Sequence, residues 1–153
     1  IDEARELAKL MKKIGELANK PTICVLTSME EPLGRFVGNN LEIKESVQFL
    51  QGKMEKDVRD VVFEIGSIML KLAGFSDDLE YNKSQMQEVI NNGKAFEKFK
   101  QLVARQKGDV SYIENLEKFE KANFVLPIYL PVIYANVSVT IVISTKNIKY
   151  NKL

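Results

Sequence analysis

The 153-residue sequence contains no histidine and a single cysteine, Cys24. Without histidine the chain lacks the usual general base at neutral pH and the commonest zinc ligand. With one cysteine it can form neither an internal disulfide nor a cysteine-based zinc site. A Ser-His-Asp triad, a His-supported metal centre and a disulfide scaffold are therefore excluded within it. A charge excess is also missing, because 22 Lys and Arg stand against 21 Asp and Glu. Nucleic-acid binders normally concentrate a basic excess on one face, so no nucleic-acid partner is expected. There is no G-x-G, and Gly34-x-x-x-Gly38 lacks the G-K-[ST] ending of a phosphate loop. The apolar stretch Phe124 to Thr145 is broken by Pro127, Pro131 and Asn136, so no membrane span is expected. No basic n-region, apolar h-region or cleavage site points to secretion.

What is present suits one water-soluble domain, with 45% hydrophobic and 28% charged residues. The chain opens on Ile1 and runs at once into a helical pattern, as a piece of something longer is expected to do. Ala4, Leu7, Ala8, Met11, Ile14 and Ala18 share one face of a 3.6-period helix that Pro21 is expected to stop. Thr22 to Thr27 (T-I-C-V-L-T) is a short β-branched apolar run, the pattern of a buried strand in a parallel α/β sheet. Cys24 in its middle is expected to be a small core hydrophobe rather than a nucleophile. Ser28 to Asn40 then reads as a loop, with Pro32, Gly34 and Gly38 breaking regular structure at the carboxyl end of that strand.

Helical spacing resumes from Leu41 to Leu50 and again from Lys56 to Leu72. The second helix has a stripe of Val58, Val61, Val62, Ile65, Ile68, Met69 and Leu72 and is closed by Gly74. Ser84-Gln85-Met86-Gln87 has the form of a capping box opening a helix that stops at Asn91-Asn92-Gly93. Ala95, Phe96, Phe99, Leu102 and Val103 mark a further helix ending near Gly108, so the middle of the chain is expected to be a helical bundle. After Asn123 the sequence turns rich in Val, Ile and Tyr, with Val137, Val139, Ile141 and Ile143 alternating as in a strand.

The dense cluster of unusual residues lies in Leu33 to Glu45. Gly34 and Gly38 allow a close backbone approach, while Glu42 and Glu45 share a helix face. Carbonyls of a Gly-containing turn beside a carboxylate make an all-oxygen site suited to a hard cation. Spacing alone favours a plain turn with solvated glutamates over a cation site. Asp57, Asp60 and Glu64 read as a polar outer helix face, and the mixed charges between Lys94 and Lys121 as a solvated one.

The run V-L-T-S-M-E-E-P-L-G-R-F-V-G-N-N-L-E-I-K-E-S (Val25 to Ser46) resembles the signature of the thymidine and pyrimidine-nucleoside phosphorylases, L-T-x-M-x-x-P-L-G-x-x-V-G-N-x-L-E-V-x-E. Glu3 to Met11, Glu64 to Leu70, Gly93 to Phe99 and Gln106 to Asp109 resemble flanking helices of that family, and the similarity fades after Ile128. The resemblance implies an α/β fold: a helix-rich portion of a nucleoside phosphorylase α/β domain over 1–122, and a truncated or altered β-rich C-terminal tail over 123–153. It implies a cytoplasmic pentosyltransferase, homodimeric when intact, that reversibly phosphorolyses thymidine or uridine to free base and (deoxy)ribose 1-phosphate, with phosphate as co-substrate.

In that family the groups that hold phosphate and base precede the helix that begins this chain, so no catalytic or substrate-binding residue is carried over. The isolated chain is expected to be inactive and marginally stable. One site carries over in part. The resemblance implies a structural potassium ion held by the main-chain carbonyls of Leu33 and Phe36 and the carboxylate of Glu45, as half of a site. Phe36 stands where the family usually has a smaller residue, which matters little for a carbonyl ligand. An anthranilate phosphoribosyltransferase-like enzyme and a non-catalytic helical interaction module are the alternatives.

Overall fold

A computed structural model describes residues 1–28, 32–122, 125–128 and 139–142. Helix α1 (Asp2–Leu17) has Asp2 and Glu3 in its first turn, where carboxylates face the positive end of the helix dipole. It ends at Asn19, which takes φ 53° while the Lys20 N–H donates to the Gly15 carbonyl at 2.8 Å. Asparagine is one of the few side chains that tolerates this left-handed position, so α1 stops before Pro21 is reached. Gly15 then lets the chain double back, because a Cβ there would overlap Thr22 Oγ1. No residue of α1 is buried, and Leu7, Met11 and Ile14 of the expected core stripe are all more than half exposed.

Residues 22–28 return along α1 without forming a strand, and the Cys24 thiol donates to the Ala8 carbonyl at 3.5 Å. The expected buried strand is thus absent, and Cys24 is exposed rather than in a core. The reason is cooperative: a strand needs a neighbouring backbone to take its N–H and C=O groups, and none pairs with this segment among the described residues.

Four helices follow: α2 (Asn39–Leu50), α3 (Lys56–Leu72), α4 (Leu79–Asn91) and α5 (Lys94–Arg105). Helix α3 has the bounds that its apolar stripe predicts, and Gly74 at φ +77° terminates it. Helix α4 does not begin at the expected capping box. Asp78 caps it instead, accepting from the Glu80 and Tyr81 N–H groups at 2.9 and 3.1 Å. Ser84 sits inside the helix and donates back to the Tyr81 carbonyl at 2.7 Å. Aspartate caps a helix about as well as serine does, and Asp78 comes first in the chain. Gly93, at φ +79°, both ends α4 and starts α5.

The α2–α5 bundle closes on Phe49, Phe63 and Ile90, with Met54, Val58, Met86 and Ala95 packed around them. The Phe49 and Phe63 rings meet at 6.4 Å and 59°, a tilted geometry that suits aromatic quadrupoles. Gly66 admits Met86 against α3 where a Cβ would collide with the thioether methyl. The fully buried Asn82 side chain of α4 donates from Nδ2 to the carbonyls of Ser67 (3.1 Å) and Ser76 (2.9 Å). It thereby fastens α4 to α3 and to the turn between them, while its Oδ1 has no partner among the described residues.

Residues 1–110 form one compact unit and 111–153 another. The second contains α6 (Ser111–Glu114), a 3-10 turn (Leu116–Lys118) that Asn115 caps, and an edge-on Tyr112–Phe119 pair with centroids 5.4 Å apart. Its strands β1 (Val125–Ile128) and β2 (Val139–Val142) pair antiparallel with Val125 opposite Val142. Val137, Ile143 and the rest of the expected β-rich tail lie outside the described residues. Among the described residues no helix is long and apolar enough to cross a membrane.

Candidate metal centre

The loop that leads into α2 cannot be regular, because Gly34 sits at φ +79° and Gly38 at φ +126°, ψ 146°. Glycine adopts both without steric cost. Such a loop exposes backbone N–H groups, and four acidic residues attend it. On α2, Glu42 accepts from the Gly38 N–H at 2.9 Å and Glu45 Oε1 from the Arg35 N–H at 2.8 Å. From α3, Asp57 Oδ2 accepts from the Gly34 N–H at 2.9 Å. Glu55, the residue at the N-cap of α3, pairs with Arg35 Nε at 3.2 Å.

Glycine at 34 meets a second requirement. The Glu45 carboxylate lies over its α-carbon so closely that a Cβ would sit 2.5 Å from Oε2. The expected spacing argument for Glu42 and Glu45 therefore holds in a specific form, since both reach back over the loop from one helix face.

Leu33, Phe36 and Glu45, the three expected potassium ligands, border a single cleft of about 550 Å³ floored by Phe49, Val58 and Val62. Glu45 is half-buried there, and among the described residues its Oε2 accepts no hydrogen bond. No group of three or more Asp, Glu or Cys side chains among the described residues could hold a metal ion. A cation in this cleft would thus depend on main-chain carbonyls together with the Glu42 and Glu45 carboxylates that line it, an oxygen donor set suited to a hard ion. The residues present fit such an ion.

Asp57 keeps its expected place on an exposed polar face and adds a bond to the loop. The Gly34 N–H holds its carboxyl below the ordinary 3.8 against the opposing effect of burial, with lesser help from the α3 amides of Val58 and Asp57 itself and from the Arg35 charge. Its loop partner is 23 residues away, so helical periodicity gives no hint of the contact. Asp60 and Glu64 keep the expected polar role: Asp60 pairs with Lys56 at 2.6 Å, and Glu64 with Lys83 of α4 at 3.0 Å.

Residues 1–96 match the model of the glycosyl transferase family, a/b domain. The chain is 38% identical over 123 residues to the pyrimidine-nucleoside phosphorylase of Bacillus subtilis, a match that covers 80% of this chain and 28% of that protein. It is 36% identical over 124 residues to the pyrimidine-nucleoside phosphorylase of Staphylococcus aureus, covering 81% of this chain and 29% of the relative. The chain therefore spans less than a third of the length of the curated relatives it matches. With more than half its length matched by the family model, the chain belongs to the glycosyl transferase a/b-domain family, among relatives named pyrimidine-nucleoside phosphorylase.

Proposed function

We propose that the chain is the part of a pyrimidine-nucleoside phosphorylase that carries one half of a structural potassium site. The observation that supports this reading is that Leu33, Phe36 and Glu45 line one cleft. The reaction of the whole protein would be reversible phosphorolysis of thymidine or uridine, with phosphate as co-substrate, in a cytoplasmic homodimer. A potassium ion, when bound, would supply a positive charge that joins the loop carbonyls to Glu45. The chain's own part is structural. Glu42, Glu45, Asp57 and Glu55 hold the loop in shape, and Leu33 and Phe36 offer oxygen ligands from it.

Phosphorolysis depends on donors placed around phosphate and the departing base. The sequence contains no Gly-rich phosphate loop, so the 153-residue chain by itself is expected to be inactive. The experiment is a pair of measurements on the purified chain: turnover of thymidine and uridine with phosphate, and thermal stability in potassium against sodium chloride at equal ionic strength. A ligand that binds only the folded state raises stability in proportion to ln(1 + [L]/Kd), so a potassium-specific rise is expected, without turnover. Equal melting in the two salts would refute the cation reading, and measurable turnover would refute the inactivity.

A further inference from the structure

A peptide group is planar, so fixing its N–H fixes its C=O in the opposite direction. The Gly34 N–H belongs to the same peptide as the Leu33 carbonyl, and no peptide bond of the described loop is cis. Asp57 takes that N–H at 2.9 Å from the first turn of α3, so the Leu33 carbonyl must point away from the Asp57 carboxylate. The Glu45 carboxylate holds the next peptide of the same turn, accepting from the Arg35 N–H, and packs over the Gly34 α-carbon. Asp57 thus holds the 33–34 peptide and Glu45 the 34–35 peptide that follows it.

We propose that Asp57 is a positioning residue of the cation site: by holding the Gly34 N–H it sets the direction of the Leu33 carbonyl. This inference rests on the potassium reading above and adds to it a residue that touches no ion. Groups that orient metal ligands in this way typically change metal affinity by about 10–100-fold when removed.

The test uses the full 153-residue chain and three variants, followed by amide NMR during titration with potassium chloride at constant ionic strength. In Asp57→Ala the Gly34 amide proton is expected to move upfield and exchange faster, and potassium affinity to fall by about tenfold or more. Asp57→Asn keeps a side-chain oxygen acceptor and is expected to restore most of the Gly34 signature and of the affinity. Asp60→Ala removes the same charge from α3 without touching the loop, and is expected to bind potassium as the wild type does. An unchanged Gly34 amide in Asp57→Ala would overturn the proposal, as would a changed amide with unchanged affinity. Should Asp57→Ala fail to fold, Asp57→Asn and Asp60→Ala decide it: equal losses in both would show an effect of charge alone and overturn the proposal. A wild type that binds no potassium would overturn the cation reading and this proposal together, whereas wild-type binding with an indifferent Asp57→Ala removes only the latter.

Discussion

Replacing Asn82 by aspartate exchanges an NH2 group with two hydrogen-bond donors for one acceptor oxygen while leaving the size of the side chain nearly unchanged. In the native chain both Nδ2 protons are used, on the carbonyls of Ser67 and Ser76, and the residue has no exposed surface. An ionised carboxylate in its place would forfeit two bonds worth about 1 kcal/mol each and leave the Ser76 carbonyl, which lies outside any helix, without a donor at about 1–3 kcal/mol; the Ser67 carbonyl keeps its helical partner within α3. Relief of the partnerless Oδ1 cannot offset this, because a carboxylate puts a second acceptor beside the same carbonyls. The expected loss at neutral pH is about 3–5 kcal/mol, a large share of the stability of a small domain.

The loss should depend on pH with a definite sign. Burial beside two carbonyls raises the folded-state pKa of the introduced acid above its unfolded value, so stability is lost as pH rises from the unfolded towards the folded pKa. Below both values the protonated acid can donate one bond, and about 1–2 kcal/mol should return. Urea unfolding followed by far-ultraviolet circular dichroism, at pH 7 and at successively lower pH, measures both parts. With a slope of about 1–3 kcal/mol per molar urea, the midpoint should fall by roughly 1 M or more at pH 7. An Asn82→Asp variant as stable as the wild type at pH 7, or one whose deficit is the same at every pH, would refute the reasoning.

Three further outcomes are expected. Gly34→Ala should cost about 1–2 kcal/mol for the left-handed backbone alone, and should also displace the Glu45 carboxylate, seen as a shifted Arg35 amide resonance. Cys24 should react with Ellman's reagent at one equivalent per chain without denaturant; protection until unfolding would restore the core reading. Lys83 bridges Glu64 and Glu80, whose hydrogen bonds and charges raise its pKa, so its contribution is full below 10.5 and is lost as pH rises through the folded value. Thermal melts between about pH 9 and pH 12 should therefore fall more steeply for the wild type than for Lys83→Met, and parallel curves would contradict it.

The helices are legible in the sequence to the extent that their signals are local. The stripe from Val58 to Leu72 marks the extent of α3, and Asn91-Asn92-Gly93 the end of α4. The start of α4 is harder to read because two caps compete there, and a pattern match on Ser84 does not weigh the earlier Asp78. Thr22 to Thr27 departs from expectation for another reason: its composition favours a strand, but a strand is a property of a pair. At the loop, the family resemblance points to Leu33, Phe36 and Glu45, whereas Asp57 acts across 23 residues of chain and no spacing rule reaches that far.

The acids around Gly34 also imply an order of events during folding. The loop's fastenings span 4, 10, 20 and 23 residues of sequence. The first two need only α2, a helix that can form within microseconds, while the others require α3 to have formed and docked. The turn at Gly34 should consequently be among the last parts of this unit to take its native shape, and its amide a late reporter of whether the two helices have found one another.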